Sequence, residues 1–214
     1  MNEQRWRTLM HHLGANLSLD TYRQLVRSYT EPHRYYHTID HINACLHHFD
    51  GVKPLTQTPV ALEIALWFHD AVYQTQSHQN EQDSAAWAVH FLQQAGVAQD
   101  QCHQVHHLIM ATADHVLHDD LDTALMVDID LAILGQDAQA FANFETHIRQ
   151  EYAWIPVAEY CQRRSEILET FLQRSHVYQT AYFQERYDDV ARSNLQTAIS
   201  RLQARILPDI EDNG

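Results

Sequence analysis

Residues 58–73 read Thr58-Pro59-Val60-Ala61-Leu62-Glu63-Ile64-Ala65-Leu66-Trp67-Phe68-His69-Asp70-Ala71-Val72-Tyr73. An apolar run, 60–68, ends in a His-Asp doublet. At helical spacing Leu62, Ala65, Leu66, His69 and Tyr73 share one face, so His69 sits on the core side of its helix. Asp70 follows Trp67 by three and Leu66 by four, and it too has apolar neighbours. An unpaired carboxylate in such surroundings is costly, or it shifts its pKa until it is neutral. A divalent cation removes the conflict, because imidazole and carboxylate both become ligands. The doublet therefore directs attention to other His and Asp residues that are similarly embedded.

Composition narrows the fold and the partners. With 214 residues the chain is long enough for one domain, 1–208, followed by a frayed tail, 209–214. It has only five Gly and five Pro, which argues for long helices and against a many-stranded β fold. A net charge of −14 opposes contact with the phosphate backbone of DNA or RNA, so no nucleic-acid polymer is expected as partner. A small phosphorylated substrate is compatible with that charge, since a bound cation inverts the local potential. The three cysteines, Cys45, Cys102 and Cys161, lie far apart with no CxxC spacing. They read as small buried hydrophobes in a reducing compartment. No signal-peptide core follows Met1, and no run has the length of a membrane span. The expectation is a cytoplasmic protein without a membrane partner.

Periodicity predicts an all-α domain, an irregular bundle. Helices are expected at about 2–13, 19–30, 38–50, 58–73, 80–94, 98–112, 123–134, 137–153, 156–174 and 178–206. Gly14 divides the first pair, with Ser18 or Asp20 capping the second helix. No repeat, linker or low-complexity tract interrupts the pattern.

Of the 17 histidines, embedding and spacing single out a few. In Arg34-Tyr35-Tyr36-His37-Thr38-Ile39-Asp40-His41-Ile42, His37 and His41 are four apart and share a face if the helix begins by residue 37. His41 borders the apolar stripe of Ile42, Leu46 and Phe49. Taken alone, the pair also fits an exposed helix start. A second embedded set is Leu125-Met126-Val127-Asp128-Ile129-Asp130-Leu131-Ala132-Ile133-Leu134. Asp128 and Asp130 point to nearly opposite sides of a regular helix, so one cation takes one of them. The other is left as a cap or supporting group.

In chain order these residues give His, His-Asp, Asp, and that order resembles the HD superfamily of metal-dependent phosphohydrolases over residues 34 to about 135. Over most of its length the chain also looks like a bacterial group of uncharacterised predicted HD hydrolases. That likeness takes in Asn80-Glu81, Ser84-Ala85, Thr112 with His115, Asp130 to Gly135, Ile148-Arg149, Glu151-Tyr152, Ala191-Arg192 and Asn194-Leu195. The resemblance implies an HD-type bundle with its metal-site core at about 34–135 and added helices at 137–206. It implies His41, His69, Asp70 and Asp130 as ligands of a divalent ion (Mn, Fe, Co, Ni, Zn or Mg), with Asp128 as the alternative last ligand. Tyr36-His37 with His41 resembles the first motif of the cyclic-nucleotide phosphodiesterases, which implies His37 as the proton donor. Ala71-Val72-Tyr73 departs from the longer acidic motif of those enzymes, so a cyclic nucleotide is not implied.

The activity expected from the resemblance is hydrolysis of a nucleotide or another small phosphoester by metal-activated water. Arg34 is a candidate phosphate clamp through its fork of donors, with Arg149 and Arg192 as weaker candidates. Glu81 and His115 are candidates for supporting the ligands or holding a second metal. The alternatives are an HD-type di-iron oxygenase and a non-catalytic module that binds a metal or a phosphorylated ligand.

Overall fold

Pro59, with its fixed φ and no amide proton to lose, opens a helix, Pro59–Phe68, in which residues 61–68 are all buried. A helix apolar on every side belongs at the centre of a bundle. The computed structural model describes residues 1–14 and 19–207. Among the described residues the helices are Glu3–Leu13 (α1), Leu19–Ser28 (α2), Ile39–Val52 (α3), Pro59–Phe68 (α4), Asn80–Gln94 (α5), Gln99–Met110 (α6), Leu121–Asp130 (α7), Ala138–Glu151 (α8), Val157–Leu172 (α9) and Ala181–Gln203 (α10). Two short 3-10 segments, Lys53–Leu55 and Leu131–Gly135, accompany them, and the described residues form no strand. The chain is all-α. The Ser18 cap and the tail at 209–214 lie outside the described residues.

The chain divides into two compact units, 1–130 and 131–214. In the first, α4 is packed by α1, α3, α5, α6 and α7. Trp6, Trp67, Phe68 and Phe91 form an aromatic cluster around it, with centroids 5.2 Å apart for Trp6–Trp67 and 5.6 Å apart for Trp6–Phe91 and Phe68–Phe91. Glu63, the one acid in the run, is buried but paired with Arg5, whose Nε donates to Oε1 at 2.7 Å. Arg5 also holds Asp50 through two bonds of 2.8 Å. The buried charge is thus compensated, as burial of a carboxylate requires. In the second unit α10 packs on α9 and on the 3-10 segment Leu131–Gly135, which α8 also contacts. Asn194 donates its amide hydrogens to the carbonyls of Leu134 and Gln136 at 2.9 and 2.8 Å and so pins that segment.

Three helices depart from the sequence expectation by three residues or more at an end. The helix expected at 58–73 stops at Phe68, because the backbone tightens at the doublet: the Ala71 amide donates to Phe68 O, three residues back, at 2.9 Å. The helix expected at 123–134 starts at Leu121 and becomes 3-10 after Asp130. Its start is drawn forward by Asp120, whose carboxylate accepts from Thr123 N at 2.9 Å and Thr123 Oγ1 at 2.5 Å. The last helix begins at Ala181 instead of 178, since the amides of Val177 and Tyr178 donate to Asp188 Oδ1 at 2.6 and 3.4 Å and turn away from helical pairing.

Candidate metal centre

Three elements of the first unit deliver the site. Thr38 caps α3, its hydroxyl accepting from Asp40 N at 3.3 Å, so the helix begins at Ile39. His41, one turn in, is 4% exposed and faces the core. His37 lies in the preceding turn, not on the helix, which corrects the expectation of a shared helical face. Its half-buried ring nevertheless comes within 5.9 Å of the His41 ring, and it stacks on Tyr73 at 4.2 Å. His69 caps the C-terminal end of α4, and Asp70 follows on the tightened turn. Asp130 is the last residue of α7.

These side chains converge. His41 Nε2 and His69 Nε2 are 3.1 Å apart. Asp70 Oδ2 lies 3.3 Å from the first and 3.2 Å from the second. Asp130 Oδ1 lies 3.2 Å from His41 Nε2 and 3.4 Å from His69 Nε2. Bonds of about 2.1 Å to one ion place neighbouring ligands about 3.0 Å apart at right angles and about 3.4 Å apart at tetrahedral angles. All five measured spacings, 3.1 to 3.4 Å, fall in that interval. Asp70 Oδ2 is a buried oxygen that accepts no well-directed hydrogen bond, although two imidazole nitrogens adjoin it. Such an orphan atom suits a ligand to a cation. Among the described residues, the group whose ligating atoms all lie within 4.8 Å of one another, and which could hold a metal ion, is His41, Cys45, His69 and Asp130; it takes in Cys45 and not Asp70.

Tautomer and charge fit that reading. His69 Nδ1 lies 3.0 Å from Leu66 O, and a carbonyl only accepts, so Nδ1 carries a proton and it is Nε2 that faces the centre, with a lone pair once the ring is neutral. Asp130 is held at its other oxygen, where His115 Nε2 donates to Oδ2 at 3.0 Å. His115 adopts a left-handed backbone, φ 52°, to reach it. Burial works against the charge of His41, yet Cys45, Tyr36 and the carboxylates of Asp130 and Asp70 hold its pKa well above the usual range. His69 is raised in the same sense, with burial outweighed first by Asp70. Burial also opposes the charge of both acids. The charges of His69 and His37 nonetheless hold Asp70 well below the ordinary carboxylate range, and hydrogen bonds from His115, His41 and His69 do the same for Asp130.

The remaining candidates separate. Asp128, fully buried and two residues before Asp130, stands outside the converging group. Glu81 is half-buried in the first turn of α5, where an acid complements the helix dipole, and it does not join the group. The phosphate-clamp expectation for the arginines is corrected, because each spends its donors on backbone carbonyls. Arg34 donates to His37 O, Asp70 O and Ala71 O. Arg149, in the second unit, donates to Tyr152 O and Ile155 O at 2.7 and 3.1 Å while covering the Tyr160 ring. Arg192 pairs with Asp188 and also takes the carbonyls of Leu172, Arg174 and Ser175.

Sequence reasoning missed three neighbours of the centre. Cys45, 1% exposed, has Sγ 3.7 Å from both His41 nitrogens. Its position four residues after His41 was the available signal. The Tyr36 ring lies 4.8 Å from His41, and the Tyr73 ring packs on His37. No family model, curated protein or solved structure matches the chain. Among the described residues no helix is long and apolar enough to cross a membrane.

Proposed function

We propose that the protein is a metal-dependent phosphohydrolase acting on a nucleotide or another small phosphoester, in line with its resemblance to the HD superfamily. The observation that carries this reading is a pair of imidazole nitrogens 3.1 Å apart with two carboxylate oxygens, each 3.2 to 3.4 Å from both of them. His41, His69, Asp70 and Asp130 would hold a divalent ion; Asp70 is preferred to Cys45 because its oxygen lies 3.3 Å from His41 Nε2, against 3.7 Å for the Cys45 sulfur, and 3.2 Å from His69 Nε2. When bound, such an ion supplies Lewis acidity and an acidified water near neutral pH. The mixed N/O set suits Mn, Fe, Co, Ni, Zn or Mg.

The protein's own groups supply the rest. Leu66 O fixes the His69 tautomer and His115 orients Asp130, so the donors are aligned before any substrate arrives. His37 is half-buried beside the cluster, with its ring braced on Tyr73, and it provides the proton for the departing oxygen. A module that only bound a metal would have no use for a proton donor there. The test is metal analysis of protein purified without chelators, followed by a phosphoester and nucleotide panel with Mn, Co, Ni and Mg added back. One divalent ion per chain and metal-dependent release of phosphate are expected. A retained ion without turnover on any phosphoester would point to the binding-module reading. Paired iron with oxygen consumption would point to the oxygenase.

A further inference from the structure

The chain leaves α4 abruptly, and the carbonyls beyond it need donors. The segment 29–34 supplies them. Tyr29 Oη donates to Trp67 O at 3.0 Å, and His33 Nε2 donates to Tyr73 O at 2.9 Å. Between these, Arg34 Nη1 donates to Asp70 O at 2.7 Å and Nη2 to Ala71 O at 3.2 Å. Nη1 also reaches back to His37 O at 3.1 Å, and Nε donates to Glu31 Oε2 at 3.0 Å. The Arg34 side chain is wholly buried, with its guanidinium carbon 5.3 Å from each of the Tyr29 and Tyr73 ring centroids. Tyr73 is the ring on which His37 stacks. One planar fork therefore touches the backbone of Asp70, the backbone of His37 and the ring that braces His37. An ammonium cannot span these acceptors, whereas a guanidinium meets them with a fixed geometry.

We propose that Arg34 is a positioning residue of the metal centre: its buried guanidinium fastens the turn carrying His37 to the segment carrying Asp70. This rests on the metal reading above. Arg34 fixes the ligand and the proton donor relative to each other without touching substrate, and it does so through backbone atoms that substitution of the ligands themselves would leave in place.

The test is a Co(II) titration of the full chain, followed by visible absorption, for wild type, Arg34→Ala and Arg34→Lys, each with and without millimolar methylguanidinium. Expected is a 10- to 100-fold loss of Co(II) affinity and an altered visible spectrum in the Ala variant. Methylguanidinium should restore both to near wild type. The Lys variant should lose affinity as well, and it decides the question alone if the Ala variant does not fold. A folded variant with wild-type affinity and spectrum overturns the positioning role. Loss of affinity that methylguanidinium leaves unchanged, in step with a lowered unfolding midpoint, overturns it too. Wild-type protein that takes up no Co(II) sinks the metal reading itself, which is a different failure.

Discussion

His69 uses its two nitrogens for two purposes. Nδ1 is tied to Leu66 O at 3.0 Å, which leaves Nε2 facing His41 Nε2 across 3.1 Å. Removing that ring, or the Asp70 carboxylate beside it, should abolish both bound metal and turnover, whereas His37→Ala should keep the metal and lower kcat about 10²- to 10⁴-fold. Metal content by elemental analysis beside steady-state rates separates the two effects; loss of metal in the His37 variant would contradict its role as a proton donor. His115 acts one step further out, through a 3.0 Å bond to the second oxygen of Asp130. His115→Ala should weaken metal binding about 10- to 100-fold while leaving the ligand set intact. A competition titration against a chromogenic chelator measures this, and unchanged affinity would leave His115 without influence on the centre.

Among the elements, α4 is the one the others are arranged to hold. Its start is secured by Asp122, which is 2% exposed on α7 and accepts from Gln57 N, Thr58 N and Thr58 Oγ1 at 2.9, 2.7 and 2.5 Å. Asp122→Ala leaves the Gln57 amide without its acceptor and the Thr58 amide with only Thr56 Oγ1 at 3.2 Å, and should cost about 1–3 kcal/mol, read as a lower urea midpoint. A loss below the error of that measurement would mean that water replaces the carboxylate. In the second unit Gly135 ends the 3-10 segment with no room above its Cα. A Cβ there would lie 2.5 Å from Tyr187 Cβ and 2.7 Å from Tyr178 Oη. Gly135→Ala should destabilise by about 1–3 kcal/mol through this clash, seen as a drop in Tm. An unshifted Tm would show that the tyrosines move aside at no cost.

For the whole molecule, protons and cation compete for the same four groups. In the metal-free protein His41 and His69 titrate well above 6.5, so their contribution is full below 6.5 and is lost as pH rises through the folded values. Asp70 and Asp130 titrate well below 3.8, so theirs is present above 3.8 and is lost as pH falls through the folded values. These groups therefore stabilise the metal-free chain most between about 3.8 and 6.5. A cation needs neutral imidazoles, so its affinity rises with pH as protons leave. The increase in Tm on adding saturating Mn or Co should accordingly grow from pH 6 to pH 8. A metal-induced shift that is flat or falls over that range would exclude His41 and His69 as ligands.

The all-α class, the ten helices among the described residues and the buried setting of His41 and His69 were legible in the sequence, because helical periodicity and the cost of burying polar groups are local properties of a chain. Asp128 against Asp130 was legible only as a choice. The carbonyl partners of Arg34, Arg149 and Arg192 were not legible, since which carbonyls lack an amide partner depends on where each helix breaks off. Likewise, that His37 reaches His41 from a turn, that His115 bends back to Asp130 and that Cys45 lies against the centre follow from packing between segments remote in the chain. Spacing along a chain fixes which face a residue occupies; only the folded arrangement fixes what stands opposite it.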